Sequence, residues 1–197
     1  MTYSGEWGTF IHIPKTGGNW VIALLKNKFG PGQNNGEGHG LPIHWDRKPV
    51  FTLWRSPAEW LRSAWGHRNG NNWKVYNHAQ IPWATFINIT TPYRDDDFNK
   101  FALNLWKHEP GIVTWFFKAY APPAVHVAWL EHPWILELMD CSMDTPPKNA
   151  NPDLPIISLE VENMAFKVEH LIYERKAFWR DEKQHYVEKY LWKGTDF

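Results

Sequence analysis

Along this chain, short apolar runs are each followed by a segment whose apolar residues recur at helical spacing. Residues 9–13 alternate and contain Thr, Phe and Ile, Pro14 ends the run, and residues 20–29 place Val, Leu and Phe three to four positions apart. A period of two predicts a strand and a period of 3.6 predicts a helix. The same criteria predict strands at 49–54 and 125–130, and helices at 57–67, 98–109, 132–139 and 162–192.

This repeated order of strand and then helix predicts an α/β fold with a mainly parallel central sheet flanked by helices. The chain has 197 residues, 43% of them hydrophobic and 21% charged, which predicts a single domain over residues 1–197. The glycine-rich segment 30–40 is predicted to be a loop, and 73–93 to be irregular with at most one short helix. In such sheets ligands bind at the carboxyl ends of strands, where Lys15 and Arg55 both fall.

Two predicted helices begin with recognisable capping residues. Ser56, Pro57 and Glu59 occupy the N-cap, first and third positions of a helix, which predicts a capping box. The acidic run 95–97 precedes another helix and suits its positive end. A metal site at this run is disfavoured, because no other carboxylate or histidine lies nearby at a ligand spacing.

Charge and cysteine content limit the classes of partner. Lys plus Arg and Asp plus Glu both number 21, so no overall field attracts the protein to nucleic acid or to a membrane, and any anion site must be local. Cys141 is the single cysteine, which precludes an internal disulfide and fits a reducing compartment. Neither a signal peptide nor a membrane span is expected, and we expect a cytoplasmic location.

The segment Pro-Lys-Thr-Gly-Gly at 14–18 predicts an anion cradle between a strand and a helix. Unpaired N–H groups and the helix dipole favour phosphate or sulfate at a helix start, and paired glycines allow close approach to the backbone. Lys15 adds a mobile positive charge. A Walker loop places its lysine after the glycines, so an ordinary ATP-binding loop is disfavoured. The alternative is a strand-turn-helix corner with structural glycines.

These five residues resemble the 5′-phosphosulfate loop of sulfotransferases that use 3′-phosphoadenosine 5′-phosphosulfate (PAPS), in the branch of the heparan sulfate 2-O- and 6-O-sulfotransferases. That family usually continues with Thr or Ser, where this chain has Asn19 and Trp20. The resemblance implies a P-loop-NTPase-like sulfotransferase fold. It further implies that the phosphosulfate is bound by Lys15, Thr16, Gly17, Gly18 and Asn19.

A second segment, Arg-Ser-Pro at 55–57 with Ser63 eight residues after the arginine, resembles the 3′-phosphate segment R-D-P-x-x-R-x-x-S of the same family. The first arginine, the proline and the serine match, while serine and Trp60 replace the usual aspartate and second arginine. The resemblance implies that Arg55 and Ser63 bind the 3′-phosphate. The alternative is that Arg55 pairs with Glu59 and that the serine faces solvent.

Two further matches concern the late loop and the catalytic base. Residues 147–151 look like the family's loop that closes over the nucleotide, which implies a contact from Lys148; a proline-rich surface loop is the alternative. His39 occupies the place where the resembling O-sulfotransferases carry a catalytic histidine. His44 and then Glu37 are the next candidates for the base.

The resemblance implies transfer of a sulfuryl group from PAPS to a hydroxyl of a small-molecule or carbohydrate acceptor. His39 would act as base, Lys15 would neutralise the leaving oxygen, 3′-phosphoadenosine 5′-phosphate (PAP) would be the product, and no metal is required. The related animal enzymes are anchored in the Golgi membrane, so a bacterial or viral enzyme is expected. The alternatives are a non-catalytic nucleotide- or sugar-binding module and a P-loop-type small-molecule kinase. The acceptor and the oligomeric state stay open.

Overall fold

The computed structural model describes residues 2–35, 49–71, 73, 82–121, 125–130, 133–141, 153–177 and 183. This part of the chain contains five strands, eight α-helices and a 3₁₀ turn at Thr91–Tyr93. The strands are β1 (Thr2–Gly5), β2 (Gly8–Ile11), β3 (Gln33–Asn35), β4 (Val50–Trp54) and β5 (His126–Trp129). The helices are α1 (Gly18–Phe29), α2 (Pro57–Asn69), α3 (Trp83–Thr90), α4 (Phe98–His108), α5 (Ile112–Tyr120), α6 (Trp134–Leu138), α7 (Leu159–Val168) and α8 (His170–Ala177).

The chain divides into two compact units. The first unit comprises Met1–Trp54, Tyr120–Ala150 and Lys176–Phe197. The second unit comprises Arg55–Ala119 and Asn151–Arg175. The first contains the sheet with α1 and α6, and the second contains helices α2, α3, α4 and α7. The expectation of a single domain over residues 1–197 stays a prediction.

The sheet has the strand order β3-β1-β2-β4-β5. The pairs β2–β4 and β4–β5 are parallel, whereas β1 runs antiparallel to both β2 and β3. The α/β prediction is therefore confirmed, but the described sheet is mixed rather than mainly parallel. The antiparallel strands β1 and β3 are short, and β3 lies inside the segment predicted to be a loop.

The core of the first unit forms between the sheet and one face of α1. Every residue of β2, β4 and β5 is buried, as expected for strands covered on both faces. Helix α1 contributes Trp20, Val21, Leu24 and Leu25 to a cluster that includes Phe10 and Phe51 of the sheet. Val21, Leu24 and Leu25 thus pack as their spacing predicts, whereas Phe29, the last residue of the predicted stripe, is 42% exposed.

Aromatic rings dominate the core of the second unit. The Trp60 ring of α2 lies 4.9 Å from Phe86, 4.6 Å from Phe116 and 5.4 Å from Phe117, measured between ring centroids. Trp60, Trp65 and Trp106 of this unit are all buried. These rings therefore serve packing, because pairs at such distances add to the free energy of burial.

The two predicted helix caps differ in outcome. Asp97 caps α4, because its carboxylate accepts hydrogen bonds from the N–H groups of Asn99 at 2.8 Å and Lys100 at 3.4 Å. The capping box at α2 is wrong, since the Ser56 side chain makes no capping hydrogen bond. The Glu59 carboxylate instead pairs with two arginine side chains, which competes with a bond back to the N-cap backbone.

The predicted helix over residues 162–192 is wrong in its length. Helix α7 begins earlier, at Leu159, and ends at Val168, and α8 begins at His170. The break falls at Glu169, whose side chain is fully buried and holds hydrogen-bond donors of distant segments. Leu171, an apolar residue of the predicted helix, is 43% exposed. Residues 178–182 and 184–192 of the prediction lie outside the described part of the chain.

Of the two remaining helices, α3 and α5, the sequence predicted only the first. Helix α3 is the short helix expected within 73–93, whereas α5 was not predicted as an element.

Among the helices that the structure describes, none combines the length and the apolar character needed to cross a lipid bilayer.

Candidate anion-binding site

The loop between β2 and α1 has the backbone of an anion cradle. Lys15 has a φ of 67°, and Gly17, the N-cap of α1, has a φ of 80° with a ψ of 15°, so both lie in the left-handed region. The N–H groups of Trp20 and Val21 donate to the Gly17 carbonyl at 2.9 and 3.2 Å. The N–H groups of Gly18 and Asn19 precede this first helical bond. They are therefore available to an anion.

No side chain of the described loop neutralises this helix start. Gly17 offers no side-chain cap, and the first turn of α1 has no acidic residue. The partial positive charge of the helix N-terminus is therefore uncompensated within the helix itself, and the half-buried Lys15 side chain adds a full positive charge beside it. The combination favours a phosphate or a sulfate.

Thr16 contributes less to the site than the resemblance implies. Its side chain is fully buried, and its hydroxyl donates a hydrogen bond of 2.9 Å to the Ile13 carbonyl. Because the hydroxyl proton is committed to this bond, the group that Thr16 can offer to an anion is its backbone N–H.

Both glycines are also required by the fold. Gly17 combines a positive φ with close packing, since a Cβ at that position would lie 2.9 Å from Leu130 Cδ1. A Cβ on Gly18 would overlap the ring of His12, which is buried and stacked beside Phe10. The structure therefore supports the alternative that the glycines are structural, and this role is compatible with anion binding. Neither His12 nor Leu130 could be identified from the sequence as the neighbour that demands a glycine.

Asn19 and Trp20, the two departures from the family pattern, have different environments. Asn19 is exposed on the first turn of α1, so its amide can reach a bound anion. Trp20 is only 8% exposed and packs in the core. The second hydroxyl position of the family is thus occupied here by a core residue.

Arg55 follows β4 directly and pairs with a carboxylate on α2. Its Nη2 lies 2.8 Å from Glu59 Oε2, and the same oxygen lies 2.7 Å from Nη2 of Arg62. The Arg55–Glu59 pair is the alternative that the sequence left open. Such partly exposed pairs contribute only about 0.2–1 kcal/mol, so a stronger anion can replace the carboxylate.

Arg62 is a charged residue of this cluster that sequence reasoning missed. Its position three residues after Glu59 was the available signal, since side chains at that spacing meet on a helix. Ser63, the other predicted phosphate contact, is half-buried, and its hydroxyl makes no hydrogen bond to the residues that the structure describes.

Four predicted functional residues lie outside the described part of the chain. They are the base candidates His39, His44 and Glu37, and the late-loop lysine Lys148. Their roles stay predictions.

The Lys15 loop of the first unit follows β2, a strand that pairs with β4 in parallel. The carboxyl end of such a strand is where α/β proteins bind ligands. Arg55 is the first residue of the second unit. Comparisons with protein-family models, with curated proteins and with solved structures gave no match to this chain.

Proposed function

We propose that this protein is a PAPS-dependent sulfotransferase that transfers a sulfuryl group to a hydroxyl of a small-molecule or carbohydrate acceptor. The observation that supports it most is the Lys15 loop: a lysine precedes two glycines at an uncapped helix start that directly follows a buried strand. An anion is favoured there by the helix dipole, by N–H groups and by a full positive charge.

In the proposed reaction the acceptor oxygen forms a bond to sulfur while the bond between sulfur and the 5′-phosphate oxygen breaks. The acceptor proton passes to a base, and the leaving oxygen becomes negative. Lys15 and the N–H groups of Gly17, Gly18 and Asn19 would stabilise that oxygen, since charge stabilisation and in-line positioning dominate such transfers. His39 is the proposed base, because a neutral histidine near pH 7 suits that task.

The 3′-phosphate of PAPS is assigned to Arg55 and Ser63, and Lys148 is assigned to the nucleotide. An arginine fork suits a phosphate, and the Ser63 hydroxyl is uncommitted among the described residues. Arg55 must exchange Glu59 for the phosphate, which the weakness of a partly exposed ion pair permits.

Calorimetry tests the proposal at the level of the nucleotide. PAP should bind, whereas ATP with magnesium should bind much more weakly; a preference for ATP would support a kinase instead. Arg55→Ala should weaken PAP binding by about 1.5–3 kcal/mol, the scale of a charged hydrogen bond. The exposed Arg94 is the matched control, and Arg94→Ala should leave the affinity unchanged.

Turnover measurements test the chemical roles. Lys15→Ala should lower turnover far more than PAP affinity, because the charge is needed most as the leaving oxygen becomes negative. Equal losses in both would contradict that role. His39→Ala should remove at least ~10²-fold of turnover with PAP affinity nearly unchanged. Near-normal turnover of this variant would redirect the assignment to His44 or Glu37.

A non-catalytic nucleotide- or sugar-binding module is the second candidate. The observation that favours it is the burial of Trp20 at a position where the resembling enzymes carry a hydroxyl. Binding of PAP without turnover of any acceptor in a broad screen would decide for the module.

A further inference from the structure

We propose that Arg55 and Arg62 together form one binding site for a phosphate monoester, and that Glu59 occupies this site as an internal anion until a phosphate displaces it. The inference rests on the proposed function, in which Arg55 binds the 3′-phosphate of PAPS. It adds Arg62 as a second guanidinium and Glu59 as a competitor that regulates access.

Residues at the start of α2 bring the two cations to a single point. Glu59 and Arg62 lie three residues apart on one face of the helix, and Arg55 lies just before its N-cap residue. A single oxygen, Glu59 Oε2, accepts hydrogen bonds from both guanidinium groups, at 2.8 Å from Arg55 and 2.7 Å from Arg62. That oxygen marks the position where a phosphate oxygen would meet both donors.

The cluster retains positive charge and unused donors. Two guanidinium groups face one carboxylate, so one positive charge is in excess. Arg62 Nη1 donates to the Pro155 carbonyl at 3.1 Å, which fixes the far side of the guanidinium. Its Nε–H is shielded from solvent and donates to none of the described residues. Arg62 is therefore held in place by the Pro155 carbonyl, and its Nε–H is a donor that no described residue satisfies.

A phosphate monoester fits this cluster better than the carboxylate does. It carries about −1.5 to −2 charges at pH 7 and three strong acceptor oxygens, against one charge on a glutamate. Two arginine forks can share those oxygens, and such charge-assisted bonds are the strong ones. The Glu59 side chain is 34% exposed, so its carboxylate can turn into water when it is displaced.

The test compares the affinities for PAP and for adenosine 5′-phosphate, which lacks the 3′-phosphate, by calorimetry. The ratio of the two affinities isolates the contribution of the 3′-phosphate. Arg62→Gln should lower this ratio at least ~10-fold, the effect of one lost charged hydrogen bond, and Arg62→Lys should lower it less. Glu59→Gln should raise the ratio about 10-fold, because the competing anion is gone. Arg94→Gln is the control and should leave it unchanged.

Two results would overturn the inference while the proposed function stands. One is an Arg62→Gln ratio within a factor of two of wild type, which removes Arg62 from the site. The other is a lower ratio in Glu59→Gln, which makes Glu59 a residue that positions Arg55. Thermal unfolding of each variant checks that the loss of the Pro155 contact has not unfolded the chain, and Arg62→Lys provides a folded substitute.

Failure of the proposed function gives a different pattern. If the wild type binds neither nucleotide, the sulfotransferase proposal is wrong, and the arginine pair is then judged with inorganic phosphate alone, titrated by phosphorus NMR. Tighter phosphate binding by Glu59→Gln than by wild type, abolished in the double variant with Arg62→Gln, would still support the pair. Equal phosphate binding by wild type and Glu59→Gln would overturn it.

Discussion

Glu169 offers the sharpest test of how the second unit is held together. Its Oε1 accepts hydrogen bonds from Trp106 Nε1 at 2.8 Å and from the Val113 N–H at 3.0 Å. Its Oε2 accepts from the N–H and the hydroxyl of Thr114, at 2.8 and 2.6 Å. Val113 and Thr114 lie in the first turn of α5, so a carboxylate at the end of α7 caps the start of another helix. We predict that Glu169→Gln destabilises the protein substantially.

The magnitude follows from the donors that an amide cannot satisfy. The amide oxygen can replace Oε1, but its NH₂ group then faces the N–H of Thr114. The Thr114 hydroxyl can rotate to accept, whereas the buried N–H is left without an acceptor, which costs about 1–3 kcal/mol. The lost attraction between an anion and a helix N-terminus is offset by the avoided desolvation of a buried charge, since burial outweighs the hydrogen bonds in raising the pKa of Glu169. The unsatisfied N–H therefore accounts for the loss. We expect a net loss of about 1–3 kcal/mol, and a Tm lower by about 2–12 °C.

Urea unfolding followed by tryptophan fluorescence measures this loss. The control is Glu174→Gln, since Glu174 is exposed in α8 and carries the same chemical change. Glu169→Leu should destabilise more than Glu169→Gln, because it leaves all four donors without an acceptor. A loss below about 0.5 kcal/mol for Glu169→Gln, within the usual range of surface substitutions, would refute this account of the cap.

Three shorter predictions concern the same chain. Burial raises the pKa of the Glu169 carboxyl above its ordinary value of 4.5, against the opposing effect of its hydrogen bonds, so the folded chain binds this proton more tightly than the unfolded chain. The Glu169 carboxyl therefore contributes more to the unfolding free energy as the pH falls from its raised pKa through 4.5. The difference in unfolding free energy between wild type and Glu169→Gln should consequently widen from pH 7 to pH 4. Gly18→Ala should cost about 1–3 kcal/mol by overpacking against the His12 ring, and His12→Ala in the same chain should recover part of that loss. Lys15→Gly should be more stable than Lys15→Ala by about 1 kcal/mol in urea unfolding, because only glycine adopts the left-handed backbone without strain.

The strand-helix units could be predicted because their signals are local. Residues 9–13 and 20–29, for example, carry the apolar period of each element and the Pro and Gly residues that separate them. These signals located β2, β4 and β5 and the helix that follows each of them. Strands β1 and β3 have no comparable signal, since three or four residues form a strand only through pairing with a neighbour.

The break between α7 and α8 shows a limit of a different kind. The apolar pattern of residues 162–192 continues through Glu169, and nothing adjacent in sequence indicates that this side chain is buried. Its partners Trp106 and Thr114 lie more than 50 residues away, so only the tertiary structure reveals its role. A helical period predicts which face is apolar; it does not predict where a buried polar contact ends the helix.

The candidate site was predictable as a set of residues rather than as a set of contacts. The resemblance implied the Arg55 contact to a phosphate, and the sequence also indicated its alternative, the pair with Glu59. It did not identify Arg62, because the resembling motif directs attention to a different position on the helix. The two descriptions of Arg55 are compatible, since a phosphate can replace the carboxylate of a partly exposed and weak ion pair.

The glycines and the lysine of the Lys15 loop differ in how strongly they indicate a function. Gly17 and Gly18 suit the fold even if the loop bound nothing, because Gly17 has a φ of 80° and the His12 ring leaves no room for a Cβ on Gly18. The backbone conformation does not explain why a lysine stands at position 15. A φ of 67° costs a residue with a Cβ about 1–2 kcal/mol, and a glycine would avoid that cost. Strained residues of this kind persist where their side chain serves a purpose other than folding. The charge of Lys15 at the start of α1 therefore supports the proposed anion site more than the glycines do.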